Sequence, residues 1–240
     1  MNLKKDLFPI FKKQHIEFVD KRTEVEGIKT FSFKSDPMPE WEPGQHGIFT
    51  ITHKKIKKAT RPFSVASIHQ EGLVKITTNI DYDPSDYKEA LDGLTQGMTI
   101  RMRGPIGGFY IKENKPTLML AMGLGITPYR ALLKSLELKN GDGGTVALQA
   151  PIELLYYNRT GTFLYEDELN TLCEKTQTTK ELLTDFAKFQ SEIKAFVNHH
   201  EDDGRYFVVG SPKMTKELVA FLRGLGINKK HILKDSFIGH

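Results

Sequence analysis

The sequence predicts a two-domain β + α/β protein, an antiparallel β-barrel followed by a Rossmann-like parallel sheet. Three observations carry that prediction. Short β-type runs broken by turn residues fill the chain up to residue 113, whereas from residue 114 onward apolar strands alternate with helical patterns. A glycine turn joins the first of these apolar strands to the first of the helical patterns. The expected domains are therefore 1–113 and 114–240.

The front-half strands are expected at His15–Asp20, Ile28–Lys34, His46–Thr52, Leu73–Ile80 and Met98–Arg103. Turn signals at Pro37, Pro39, Pro43-Gly44, Glu71-Gly72 and Gly97 separate them, and regular short strands of this kind suit a small barrel. In the back half, Thr117–Met122 is a compact apolar strand. Tyr129, Leu132, Leu133 and Leu136 then follow at i, i+3, i+4 and i+7, giving a helix with one apolar face. Further strands are expected at Ile152–Tyr157 and Tyr206–Val209. The second of these leads into a helix marked by Met214, Leu218, Phe221, Leu222 and Leu225. The stretch Glu181–Phe196 reads as largely helical, and the order of strands between 174 and 205 stays open.

Composition narrows the function classes. With 34 Lys+Arg against 30 Asp+Glu and a net charge of +4, there is no concentrated basic face of the kind nucleic-acid binding needs. The run Lys54, Lys55, Lys57, Lys58 is either a solvated hairpin tip or a docking patch for an acidic protein. A single cysteine, Cys173, rules out an internal disulfide and a four-thiolate iron–sulfur cluster from this chain, and no metal site is expected. It is expected on a buried helix face. Met1–Lys13 lacks an uninterrupted apolar core, and no stretch reaches the ~18 apolar residues of a membrane helix, so a cytoplasmic protein is expected.

Five segments are candidates for chemistry. In Arg61-Pro62-Phe63-Ser64 a cation, an aromatic face and a hydroxyl follow one another; in an extended strand Arg61 and Phe63 share one face and Ser64 takes the other. A flavin needs those three groups, for its pyrophosphate, its ring and its reactive nitrogen, but an ordinary edge strand with a proline also has this sequence. Gly104-Pro105-Ile106-Gly107-Gly108-Phe109 suits a tight reversal that closes the first domain. Gly123-Leu124-Gly125-Ile126-Thr127-Pro128 lies between strand and helix, where glycines admit a diphosphate and free helix amides stabilise its charge. Arg159, in Asn158-Arg159-Thr160, sits past a strand end; it either meets a nucleotide phosphate or pairs with Glu166 or Asp167. Gly210-Ser211-Pro212-Lys213-Met214 repeats the strand-to-helix logic at the third strand, as room for a nicotinamide or as a plain turn.

Taken in order, these segments together with Pro43-Gly44-Gln45 and Phe237-Ile238-Gly239-His240 resemble the ferredoxin–NADP reductase superfamily of flavoproteins, over nearly the whole chain. The resemblance implies FAD and NAD(P)H as cofactors. It places Arg61 at the pyrophosphate, Pro62 and Phe63 along the flavin, Ser64 near flavin N5 as the catalytic group, and Ser85 at a second phosphate contact. Thr127 would stand between flavin and nicotinamide. Gly123, Gly125, Arg159, Gly210 and Met214 would frame the pyridine nucleotide, and Phe237 would cover the second flavin face. The sequence departs from the usual pattern in having Phe63 for a tyrosine, Tyr82 for a glycine before Ser85, and Val209 for a cysteine.

The implied activity is hydride transfer between NAD(P)H and FAD, with electrons passed to a separate acceptor such as a ferredoxin, a flavodoxin, a haem protein or a small molecule. The rival reading is a non-catalytic FAD- or nucleotide-binding subunit of a larger complex. Neither the choice of NADH or NADPH nor the oligomeric state is legible in the sequence.

Overall fold

In the computed structural model, residues 6–80, 82–141 and 150–236 are described. The chain divides into two compact units, the first ending at Tyr110 and the second starting at Ile111.

The first unit is a six-stranded antiparallel sheet in the order β4-β3-β6-β1-β2-β5, built from β1 (Lys13–Val25), β2 (Ile28–Lys34), β3 (His46–Thr50), β4 (Thr60–Ser64), β5 (Val74–Asn79) and β6 (Thr99–Ile106). Alternation in the sequence sets its inner face: Ile16 and Phe18, Phe31 and Phe33, Phe49, Val74 and Ile76, Ile100 and Met102 are all buried. The sheet curls until its edges approach, and the amide just past β4, Ala66 N, donates to Lys75 O in β5 at 2.8 Å. This removes most of the open edge that a flat sheet would expose.

A short helix, α1 (Asp86–Asp92), packs Tyr87, Ala90 and Leu91 against the barrel core. Asp92 fixes its far end through ion pairs to Lys21 (3.0 Å) and Lys29 (2.9 Å). Burial raises the Asp92 carboxyl pKa, but the hydrogen bonds from Lys29 and Lys21 outweigh it and hold the group below the usual carboxylate range. The glycines at the barrel end are steric requirements. A Cβ on Gly44, whose φ is +98°, would lie 2.0 Å from the carbonyl oxygen of Phe109. Gly104 and Gly107 also have positive φ, which makes the expected tight reversal possible.

The second unit is a five-stranded parallel sheet in the order β11-β10-β7-β8-β9: β7 (Thr117–Met122), β8 (Ile152–Tyr157), β9 (Thr179–Leu183), β10 (Arg205–Gly210) and β11 (Ile232–Ser236). Every residue of β7 is buried, as expected for a central strand covered on both faces. Its helices are α2 (Thr127–Gly141), α3 (Glu166–Thr176), α4 (Phe186–His200) and α5 (Pro212–Gly224). Tyr129, Leu132, Leu133 and Leu136 form the buried face of α2, as their spacing predicts. Cys173 is buried on α3, and burial raises its thiol pKa to about 11, which makes it an unreactive core residue.

The helical expectation for Glu181–Phe196 needs correction. Its first residues belong to β9, and the helix begins only at Phe186, where the Asp185 carboxylate caps the amides of Ala187 (2.7 Å) and Lys188 (3.1 Å). Lys180 and Glu181 conceal the strand, because they sit on a sheet edge where polar side chains reach water.

Candidate functional site

In the first unit the candidate residues lie on the edge strand β4. Arg61 and Phe63 share a face, and both meet Tyr87 of α1: the Arg61 guanidinium lies 5.5 Å from the Tyr87 ring centroid and the Phe63 ring 5.9 Å from it. Arg61 Nη1 also donates to the carbonyls of Lys58 (3.1 Å) and Thr60 (2.9 Å), so the guanidinium is held rather than swinging free. Tyr87 is almost wholly buried and its hydroxyl reaches Phe49 O at 3.4 Å. Burial raises its pKa far above the ordinary value despite the nearby Arg61 cation, so the phenol stays neutral.

Ser64 points to the opposite face, is buried, and pairs in register with His46 of β3. The turn at Pro43-Gly44-Gln45 supports it: the Gln45 carbonyl accepts from Val65 N at 2.9 Å, and the Gln45 amide donates to Gly107 O at 2.9 Å. Pro62 is exposed on the strand edge, where its missing amide proton costs no sheet hydrogen bond.

The lysine run is the exposed β3–β4 connection, as expected for a hairpin tip; Lys54 pairs there with Glu89 at 3.1 Å. This leaves a cation-rich surface beside Arg61. Ser85 is exposed and occupies the N-cap position of α1, with no side-chain cap bond; Asp86 and Glu89 follow it in the first turn. Two carboxylates there make this helix end a poor place for a phosphate.

In the second unit the chain runs β7, β8, β9 to one side and then crosses to β10 and β11 on the other. The order therefore reverses between β7 and β10, and ligands of open α/β sheets lie at such a switch point, beyond the carboxyl ends of the strands. Gly123 and Gly125 leave β7 here, and Gly210 ends β10. A Cβ on Gly125 would come within 2.4 Å of Val209 O, and one on Gly210 within 2.8 Å of the Met122 methyl group. These two glycines let protein segments pack. Gly123 is different: its φ is +55° and an added Cβ would meet nothing within 4 Å, so open space lies above its backbone.

Thr127 is buried at the start of α2, and Pro128 takes the first helical turn. Met214 has its backbone amide capped by Ser211 Oγ (3.4 Å) and packs its side chain against the core, so it is a helix-seating residue in this unit. Arg159 is exposed past β8 in a turn built by Asn158, whose amide donates to Thr162 O at 2.6 Å. No pair with Glu166 or Asp167 forms among the described residues, which leaves the guanidinium facing solvent. Phe237 lies outside the described residues.

Sequence reasoning missed Arg130. It is nearly buried on α2, forks onto Glu168 of α3 at 2.7 and 2.9 Å, and lies over the Tyr165 ring. Burial raises the Glu168 pKa, but bonds from Arg130 and from Lys134 overcome it and hold the carboxylate charged. Tyr165 has a φ of +61°, an uncommon conformation for a bulky residue, and no local sequence pattern announces it. Among the described residues no group of three or more potential metal ligands occurs, and no helix is long and apolar enough to cross a membrane.

The chain thus joins an antiparallel barrel to an open parallel sheet with a switch point of the kind at which α/β proteins bind ligands. Comparison with known proteins agrees. The fold is shared with ferredoxin–NADP+ reductase from Plasmodium falciparum, with a TM-score of 0.79 and 17% identity over 97% of this chain and 99% of that one. It is also shared with flavohemoglobin from Malassezia yamatoensis, solved with bound FAD and heme, with a TM-score of 0.71 and 15% identity over 94% of this chain and 60% of that one. In sequence, the chain is 22% identical to the F component of the Na(+)-translocating NADH-quinone reductase of Haemophilus influenzae, over 92% of its own length. It spans 58% of the length of that relative. No family model matches the chain. The chain has the fold of the ferredoxin–NADP reductase superfamily, as its motifs implied.

Proposed function

We propose that this chain is an NAD(P)H-dependent flavoprotein reductase, with FAD held by the first unit and the pyridine nucleotide by the second. The reading rests on Arg61 and Phe63 sharing one face of β4 in the first unit and, in the second taken by itself, on the open backbone of Gly123 by the β7/β10 switch point. The donor set on β4 fits FAD: a held guanidinium among exposed lysines suits a pyrophosphate, and a half-buried phenyl ring beside a hydroxyl suits a flat polar ring. FAD, when bound, takes two electrons from a nicotinamide and passes them on.

The residues of this chain supply binding and alignment. Arg61 neutralises the phosphates, and Phe63, fixed between Phe49 and Tyr87, offers its remaining face to the flavin ring. Ser64 is the last residue of β4 and faces away from Phe63, so its hydroxyl would meet the flavin's reactive nitrogen where the ring extends past the strand end. In the second unit Gly123 admits a phosphate, the start of α2 stabilises its charge and Arg159 adds a cation, while Gly210 seats the end of β10 against Met122 at the crevice edge. Rate comes from orientation in a dry site, with no covalent intermediate on the protein. The electrons leave for a separate acceptor protein or small molecule, in the cytoplasm. The test is anaerobic reduction of the FAD-loaded protein by NADH and by NADPH, followed at the flavin absorption bands. Bleaching by either nucleotide supports the reading, and a bound flavin that neither nucleotide reduces would refute it.

A further inference from the structure

Several described cations of the first unit are ion-paired: Lys21 and Lys29 with Asp92, Arg22 with Glu24, Lys34 with Glu17, Lys54 with Glu89 and Lys75 with Glu71. Apart from the cation-rich surface beside Arg61, a second group without an ion pair lies elsewhere on the barrel. On the outer face of the barrel, Arg101 and Arg103 of β6 are two residues apart and so lie on the same side. Lys13 of β1 is the register partner of Arg103, and His15 that of Arg101. No side-chain hydrogen bond or ion pair joins Lys13, Arg101 or Arg103 to another described residue. Arg101 Nε and Arg103 Nε are moreover buried without a partner. Two of the four such atoms among the described residues therefore lie within one strand.

The segment just before β1 adds a second feature. Phe8–Phe11 forms a single 3-10 turn that leads through Lys12 directly into β1. Phe8 is 64% exposed and Phe11 77% exposed, their rings 6.2 Å apart edge to face, and the preceding Leu7 is 41% exposed. The other exposed large apolar residues that are described, Tyr82, Leu138 and Phe186, are isolated in sequence.

We propose that this face docks onto an anionic lipid surface, with Phe8 and Phe11 entering the headgroup layer and Lys13, Arg101 and Arg103 meeting the lipid phosphates. A protruding aromatic pair beside unneutralised cations provides the two signals, apolar and electrostatic, that stable interfacial binding requires. A protein partner would instead favour anchors enclosed by a rim, whereas these rings stand on one exposed turn. The inference is independent of the flavin reading.

Co-sedimentation of the full chain with vesicles tests it. The protein is expected to pellet with vesicles of about equal phosphatidylglycerol and phosphatidylcholine, to stay in solution with phosphatidylcholine alone, and to be released by about 0.5 M NaCl. Phe8→Ser with Phe11→Ser, and separately Arg101→Gln with Arg103→Gln, should each lower partitioning about tenfold or more while leaving thermal stability and FAD retention unchanged. Phe8→Trp gives a second readout, a blue-shifted emission with anionic vesicles; the native Trp41 is buried and bonded to Ser67 O, so it contributes a constant background. Absence of phosphatidylglycerol-dependent binding at low salt, or binding that both double variants retain, would overturn the proposal. So would capture by polyglutamate beads without vesicle binding, which would indicate an acidic protein surface.

Discussion

Replacing Gly125 by alanine probes the nucleotide crevice at its tightest point. The added Cβ would sit 2.4 Å from Val209 O and 2.8 Å from Val209 C. Ordinary contact begins at 3.4 Å, so one backbone must move by about 1 Å. The strand it presses on, β10, is held on both sides by β7 and β11 and cannot yield alone. Overpacking against such a backbone costs roughly 2 to 3 kcal/mol. For a unit of this size, the melting temperature should fall by roughly 10 °C.

Gly123→Ala is the control for stability alone, since its methyl enters the space assigned to the phosphate and should itself weaken nucleotide binding. Its Cβ would meet nothing within 4 Å, so only the φ of +55° is penalised, at about 1 kcal/mol, and its melting temperature should fall by only a few degrees. Scanning calorimetry on both variants, with titration by NADH and NADPH, measures the difference. Gly125→Ala should also weaken nucleotide binding about tenfold or more while FAD retention in the first unit is unchanged. A Gly125→Ala protein that melts within about 1 °C of the parent and binds nucleotide normally would refute the crevice argument.

Other substitutions separate the remaining roles. Arg61→Ala should lower FAD retention at least about tenfold, read from the flavin content of purified protein. Ser64→Ala should instead keep FAD and slow its reduction by NAD(P)H in stopped flow by about tenfold or more. Arg159→Ala, at an exposed residue with no described ion pair, should change stability by less than about 0.5 kcal/mol but raise the nucleotide dissociation constant about tenfold, by calorimetric titration. Glu168→Gln leaves the Arg130 charge short of its partner and should cost about 2 kcal/mol at neutral pH. Because the folded-state pKa of Glu168 is depressed, its contribution is complete above the ordinary carboxylate value and is lost as pH falls through the folded one. The difference in melting temperature between Glu168→Gln and the parent should therefore shrink below about pH 4.

Much of the fold was legible because the apolar pattern and the burial requirement coincide. Ile28–Lys34, Thr117–Met122 and Ile152–Tyr157 are strands over those same residues. The elements that escaped are short, at edges, or set by distant partners. The seven residues of α1 span too few turns for a helical period to stand out. The polar edge strands β9 and β11 carry no apolar run.

At the site, local rules were enough to place Arg61 and Phe63 on one face of β4 and Ser64 on the other, because strand alternation dictates it. They were insufficient for Gly125 and Gly210, whose immediate reason is contact with Val209 and Met122 across the sheet. Nor did they reveal Tyr87, which holds Arg61 and Phe63 from a helix more than twenty residues further on, or Arg130, whose partner Glu168 is on another helix. Contacts of that kind depend on tertiary packing, which no short motif encodes.

The central claim is tested most directly by the visible spectrum of the protein mixed with FAD, freed of unbound flavin by gel filtration and then mixed anaerobically with NADH or NADPH. The flavin bands are expected to travel with the protein and to bleach when nucleotide is added. A folded protein that elutes colourless after incubation with FAD would contradict the claim.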